Sequence, residues 1–222
     1  MNQSYIYGMN IKSCLFFVFL VFQLKGIAQK DSLTVGKYWE DQLYVALTYN
    51  VLKNQPSGIS YGFSGGYIKD IPVVKSGKLA IGLGVGYAYD YFKSNLLVND
   101  NEFELNENTS SSTYKFHALE FPVQLRWRSS DEVTYSFWRI YMGLRFSYNL
   151  SNKFSYTLDQ SINVSNIEAL NRIQKGLELS VGYGAFNLFA YYGLSDVFKD
   201  AVLDNTAIET SVLKLGLIFY LL

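Results

Sequence analysis

From Leu79 to Tyr91 the chain alternates without interruption, with Leu79, Ile81, Leu83, Val85, Tyr87, Tyr89 and Tyr91 on one parity and Ala80, Gly82, Gly84, Gly86, Ala88 and Asp90 on the other. Side chains on a strand point to opposite faces with period two, so one surface of this strand is an unbroken apolar row and the other is small or charged. A soluble sandwich strand also alternates. It rarely commits so many large groups to one face, whereas a strand that touches hydrocarbon must. Five stretches of about ten residues each follow the pattern, and they come behind a removable secretion signal. The pairing points to an all-β chain folded as a transmembrane β-barrel of the bacterial outer membrane.

Eight strands are expected. The first, Leu43 to Leu52, turns Leu43, Val45, Leu47 and Tyr49 outward, and the Asn54-Gln55-Pro56-Ser57-Gly58 turn follows. The second, Ile59 to Lys69, sets Ile59, Tyr61, Phe63 and Tyr67 against Ser60, Gly62, Ser64 and Gly66. After the third strand, the polar stretch Lys93 to Thr113 reads as a long loop. The fourth, Tyr114 to Arg128, places His117, Leu119, Phe121, Val123, Leu125 and Trp127 outward and Ala118, Glu120, Pro122, Gln124, Arg126 and Arg128 inward. The fifth, Phe137 to Leu150, turns Trp138, Ile140, Met142, Leu144, Phe146 and Tyr148 out and Arg139, Tyr141, Gly143, Arg145 and Ser147 in. Ser151 to Ile173 is a second long connection with a candidate short helix around Ile167 to Leu170. The sixth strand, Gly176 to Gly184, carries Glu178 inward. The seventh, Phe186 to Leu194, is apolar on both parities, so its facing stays open. The eighth sets Leu213, Leu215, Leu217, Phe219 and Leu221 against Val212, Lys214, Gly216, Ile218 and Tyr220.

From the third strand onward the connections alternate long and short, as in an antiparallel barrel with both termini on the periplasmic side. The first hairpin departs from this, because the turn at Pro56 is shorter than the connection at Pro72. A ten-stranded barrel would need another strand inside Ser151 to Ile173, and that segment reads as too polar. The expectation is an eight-stranded antiparallel transmembrane β-barrel.

Lys12 precedes an apolar run from Cys14 to Leu24, then Gly26-Ile27-Ala28 and polar Gln29-Lys30-Asp31. A helix needs roughly 20 apolar residues to cross a bilayer. The shorter run fits the core of a cleavable signal peptide with the cut after Ala28. Residues 1–28 are then signal peptide, 29–42 a short N-terminal periplasmic segment and 43–222 the barrel. Met9 is an alternative start. Cys14 is the one cysteine and falls inside the removed segment, leaving the mature chain no thiol for a disulfide, a nucleophile or a metal. Tyr 19 and Phe 16 against Pro 3 is a strand-forming balance, and a net charge of zero argues against nucleic acid as a partner.

Glu120, Arg126, Arg128, Arg139, Arg145, Glu178 and Lys214 all fall on the inward parity. An unpaired buried charge costs several kcal/mol, so Glu–Arg pairing across adjacent strands is expected. An eight-stranded barrel is just wide enough for its side chains to fill, which implies a plugged lumen. The alternative is a narrow anion-selective path lined by the arginines. Trp127 and Trp138 flank one short turn, while Tyr87, Tyr89, Tyr91 and Tyr148 sit near the opposite end. They read as two aromatic girdles at the headgroups.

Other motifs fail their context. Gly82-x-Gly84-x-Gly86 lies within a strand and has no helix after it, so it is no phosphate loop. His117 is the only histidine. A lipid-hydrolysing barrel would set a histidine beside a serine and a carboxylate, and although Ser111, Ser112 and Glu120 lie nearby in sequence, no spacing selects them. Asp100, Glu102, Glu104 and Glu107 lack the ordered spacing of a calcium loop and read as a solvated loop. No catalytic, cofactor-binding or metal-ligating residue is assigned, and the chain is expected not to be an enzyme. Its expected partners are outer-membrane lipid and lipopolysaccharide, with the two long loops offering a surface to envelope proteins.

Three segments carry a family resemblance: Leu119-Glu120-Phe121-Pro122-Val123-Gln124-Leu125-Arg126-Trp127-Arg128; Phe137-Trp138-Arg139-Ile140-Tyr141-Met142-Gly143; and Val181-Gly182-Tyr183-Gly184 through Tyr192-Gly193-Leu194. With the Ala28-Gln29 junction, they make the chain resemble the small outer-membrane barrels of Bacteroidetes-type bacteria, the porin and PorT families. That resemblance implies a barrel and, as one option, an accessory role in type IX secretion and gliding. Many outer-membrane barrels end in an aromatic residue, whereas this chain ends Phe219-Tyr220-Leu221-Leu222.

Overall fold

The alternating segments lie side by side and close on themselves. The computed structural model describes residues 41–53, 58–94, 96–99, 102–105, 112–129, 138–157, 161–165, 169–199, 202–203, 206–207 and 210–221. Its long strands are β1 (Gln42–Leu52), β2 (Tyr61–Pro72), β3 (Leu79–Ser94), β4 (Ser112–Arg128), β5 (Trp138–Thr157), β6 (Ile173–Tyr183), β7 (Phe186–Gly193) and β8 (Val212–Leu221). Each pairs antiparallel with the next, and β1 pairs with β8. This eight-stranded cycle has no edge, so its backbone groups are satisfied within the wall, the condition a sheet must meet in hydrocarbon.

Register then fixes the two surfaces. Leu43 stands opposite both Leu221 and Tyr67, so the start of β1 and the end of β8 lie at the same end, called lower below. Leu83, Leu144 and Leu215 are 44%, 40% and 50% exposed on the outer wall and share no core. An apolar band of this extent would drive association in water, and in a bilayer it meets lipid tails. Along β7, Asn187, Phe189 and Tyr191 point inward while Phe186, Leu188 and Tyr192 face out, which settles the strand whose parity was open.

The upper wall rises further than the sequence suggests. Lys93 to Thr113, expected as loop, contributes the end of β3 and the start of β4, with Lys93 opposite Thr113 and Ser94 opposite Ser112. Between them Leu96–Asn99 pairs with Glu102–Leu105. Within the connection expected from Ser151 to Ile173, β5 continues to Thr157, and Ser161–Ser165 pairs with it from Lys153↔Ser165 to Thr157↔Ser161. That segment forms a strand despite its polarity, and it lies outside the eight-strand cycle. Above the hydrocarbon layer a ribbon meets water or polar headgroups, so an apolar parity is not required there. A register shift between His117 and Ala118 leaves Leu150 and Ser151 both exposed on β5.

The first hairpin does not break the loop pattern. β2 runs on to Pro72, so the upper connection spans residues 53–60 and the lower one only 73–78. The lower turn between β6 and β7 is the two residues Gly184 and Ala185, with Gly184 at φ 58, a left-handed conformation that glycine adopts without strain. The signal peptide, all of the periplasmic segment except Asp41 and Gln42, Gln55, Pro56, Asp100, Glu107, Ser111 and Phe137 lie outside the described residues. So does Ile167; of the short helix expected there, Leu170 instead forms an antiparallel bridge with Phe198.

Candidate functional site

All seven expected charges point into the lumen, but they form separate groups stacked along the axis. At the lower end Arg126 and Arg128 are both wholly buried, and both bind Asp70, Arg128 at 2.7 Å. Asp70 is on β2, so Arg126 reaches it across β3. The crossing point is Gly82, where a Cβ would lie 2.6 Å from the Arg126 Cδ atom. Arg126 also donates to the Gln42 Oε1 atom and lies 4.1 Å from the Tyr141 ring centre. Arg128 donates through Nε to the Gly77 carbonyl at 2.7 Å. Arg139 donates to the Gly184 carbonyl at the lower turn.

Higher up, Arg145 on β5 lies between carboxylates from both neighbouring strands. It binds Glu120 on β4 at 2.5 Å and Glu178 on β6 at 2.6 Å. The Gln124 amide donates to the other Glu178 oxygen at 2.8 Å. The rings of Phe189 and Tyr44 stand 5.1 and 5.5 Å from the guanidinium. Above this triad, Lys214 on β8 binds Asp90 on β3 at 2.6 Å, and Asn50 on β1 donates to the same carboxylate at 2.8 Å.

The upper mouth is filled by aromatic groups. Tyr114 stacks on Phe154 at 4.6 Å and meets Phe198 at 5.5 Å. Phe198 and Val197, from the β7–β8 connection, are each 2% exposed. Backbone bonds hold them there, from Asn171 to Val197, Lys199 to Ala169 and Val197 to Thr210. Two voids beside Asp90, Tyr191 and Lys214 measure about 10 Å³ each, room for one water apiece.

Expected pairing across adjacent strands holds for the Glu120–Arg145–Glu178 group only. Arg126 and Arg128 skip a strand to find Asp70, and Lys214 spans the lumen to Asp90. Both aspartates were missing from the expected network. Asp90 stands on the inward parity of the clearest strand, and Asp70 would follow by extending the second strand's alternation past Lys69.

On the outer wall, Trp127, Trp138, Tyr183 and Phe186 ring the lower end, with Trp138 and Tyr183 5.8 Å apart. Tyr87, Tyr89, Tyr91, Tyr61 and Tyr148 occupy the upper end, with Tyr61 stacked on Tyr91 at 4.9 Å. His117 is outward too. Its Nδ1 atom meets the Tyr87 hydroxyl, and its ring lies 5.1 Å from that of Tyr89. Ser112 and Glu120 are buried in the lumen, on the other side of the wall from His117, so these three form no triad. Among the described residues, no three His, Cys, Asp or Glu side chains converge as a metal site.

A closed cylinder with an apolar outer wall and a charged interior is now established, and residues 27–199 match the family described as outer membrane protein beta-barrel domain. The chain belongs to that family. This outer-membrane barrel protein is therefore a resident of the bacterial outer membrane, and its β8 lies beyond the matched span. Two solved structures of Ail, the attachment invasion locus protein of Yersinia pestis, are similar, one of them in complex with the heparin analogue sucrose octasulfate. Each is 12% identical at a TM-score of 0.36 and covers 82% of this chain, against 97% and 99% of its own. No curated protein matches the sequence.

Proposed function

We propose that this outer-membrane barrel protein is a non-catalytic, occluded barrel with a structural or accessory role, whose upper loops present a surface to envelope partners. One observation carries the reading: ion-paired groups occupy the lumen at three levels below an aromatic plug, and the voids beside Asp90 and Lys214 have room for about one water each. A conducting path needs a continuous file of water, and each ion pair here would have to break to admit one. The competing reading is a narrow anion path past the arginines. Conductance of the purified barrel in planar bilayers separates the two: a baseline without discrete steps supports occlusion, and steady, reproducible steps overturn it.

Within that reading, the protein is a barrel of the Bacteroidetes type, serving as a PorT-like accessory component of type IX secretion and gliding. The support is the sequence resemblance carried by 119–128, 137–143 and 181–194. Deleting the gene tests it. Loss of cargo from the medium with an otherwise intact outer membrane is expected, and normal export would contradict the role. Outer-membrane lipid and lipopolysaccharide are the proposed surroundings, with the aromatic residues at each rim as anchors.

A further inference from the structure

We propose that Lys115 and Lys153, on the outer wall of β4 and β5, hold the phosphorylated headgroup of an outer-leaflet lipopolysaccharide. The inference rests on the reading of the outer wall as lipid-facing. The register draws one row of outward side chains across six strands: Tyr49, Tyr61, Tyr91, Lys115, Lys153 and Ser165, each directly opposite the next. Three tyrosines lead that row into two ammonium groups side by side. Like charges directly opposite on neighbouring strands repel. Among the described residues neither lysine has an ion-pair partner, although Lys69, Arg126, Arg128, Arg145 and Lys214 all do. Two ammonium groups set side by side attract an anion more strongly than either does alone.

Height selects the anion. Tyrosines on a barrel wall settle at the headgroup level, and Tyr91 stands directly opposite Lys115 and Tyr61 opposite Tyr91, while Tyr87, Tyr89 and Tyr148 lie further toward the lower end of their strands. His117 is two residues below Lys115 and bound to Tyr87, which continues the polar surface downward. Lys93 also faces out, above Tyr91, with its stem against Gly58. This is the upper end, where the long connections lie, so the leaflet it meets is the outer one. Phosphates attached to an acyl-chain body there would satisfy both ammonium groups, while the chains cover Leu119, Phe146 and Tyr148 beneath. Basic residues at a membrane surface attract anionic headgroups in this way.

The test uses the mature barrel folded in detergent micelles and reads its affinity for bisphosphorylated lipid A, with fully dephosphorylated lipid A and inorganic phosphate as comparisons. The K115Q/K153Q double variant and the removal of the phosphates should each weaken binding about ten-fold or more. K75Q, an exposed lysine of the lower turn between β2 and β3, should bind as the unchanged protein does. K115E sets opposite charges face to face, so it should fold at least as well yet lose the lipid. Unchanged affinity in these variants, or equal affinity for dephosphorylated lipid A, overturns the proposal. So does displacement by inorganic phosphate at equal concentration, which would mark a free-phosphate site. Failure of the unchanged protein to show the heat-dependent gel shift of a folded barrel would instead count against the barrel reading on which this rests.

Discussion

Arg145 is buried between Glu120 and Glu178 at 2.5 and 2.6 Å, and its contribution depends on what is removed with it. Replacing Arg145 by Met leaves two carboxylates facing each other without a cation, at a cost of about 3–5 kcal/mol. Replacing all three, with Met at 145 and Gln at 120 and 178, removes the charges together and should cost markedly less. Urea unfolding of the barrel in lipid vesicles, followed by tryptophan fluorescence, measures both. Equal losses would show that the triad is not an electrostatic unit. Asp41, just before β1, offers a titration outside the membrane-spanning strands. Partial burial raises its carboxyl, but hydrogen bonds from Lys69 at 2.5 Å, Tyr67 at 2.8 Å and the Asp70 backbone N–H at 3.1 Å outweigh this and hold it below its ordinary value. A depressed carboxyl contributes stability that is present above its unfolded value, about 3.9, and is lost as pH falls through the folded one. The stability difference between the unchanged protein and Asp41→Asn should therefore be full at neutral pH and shrink on acidification below that value. A difference that stays constant with pH would contradict the clasp.

Strands carry the next level of organisation, and Gly82 shows why β3 is rich in glycine on its inner face. Gly82→Val would place new atoms against Arg126 Cδ and Ile68 Cγ2, 2.6 and 3.0 Å from the added Cβ. The Arg126 side chain would be pushed off Asp70 at a cost of about 1–3 kcal/mol. Combined with Asp70→Asn the losses should be less than additive, because both changes break the same contact; strict additivity in urea unfolding would reject the passage over β3. That contact also marks where reading the sequence stops. Alternation in β3, β4 and β5 is strong because lipid demands an apolar parity, so strand existence and facing were legible there. The expected second strand ends at Lys69, three residues short of Pro72, since Asp70 and Pro72 look like turn residues until Arg126 is found to need a carboxylate. The upper ends of β3 and β5 carry no apolar row because no acyl chain reaches them, and β7 hides its parity because Phe189 and Tyr191 serve as lumen filling. Charge partners were legible only between hydrogen-bonded neighbours. Pairing across a skipped strand depends on a glycine opening in between, and that appears only once register is known.

The whole molecule depends on closure: eight ladders, no edge, and two surfaces of opposite character made by one period-two pattern. Ion pairs, the aromatic plug and the tyrosine rims are all consequences of which parity faces where. The mature chain contains no native thiol if the cut follows Ala28, so single cysteines can be placed along β3 and spin-labelled in lipid vesicles. The account predicts that collisions with oxygen, which partitions into hydrocarbon, rise at 81, 83, 85 and 87 and fall at 80, 82, 84, 86 and 88. A profile without that alternation, or outward positions that collide chiefly with a water-soluble relaxant, would contradict it.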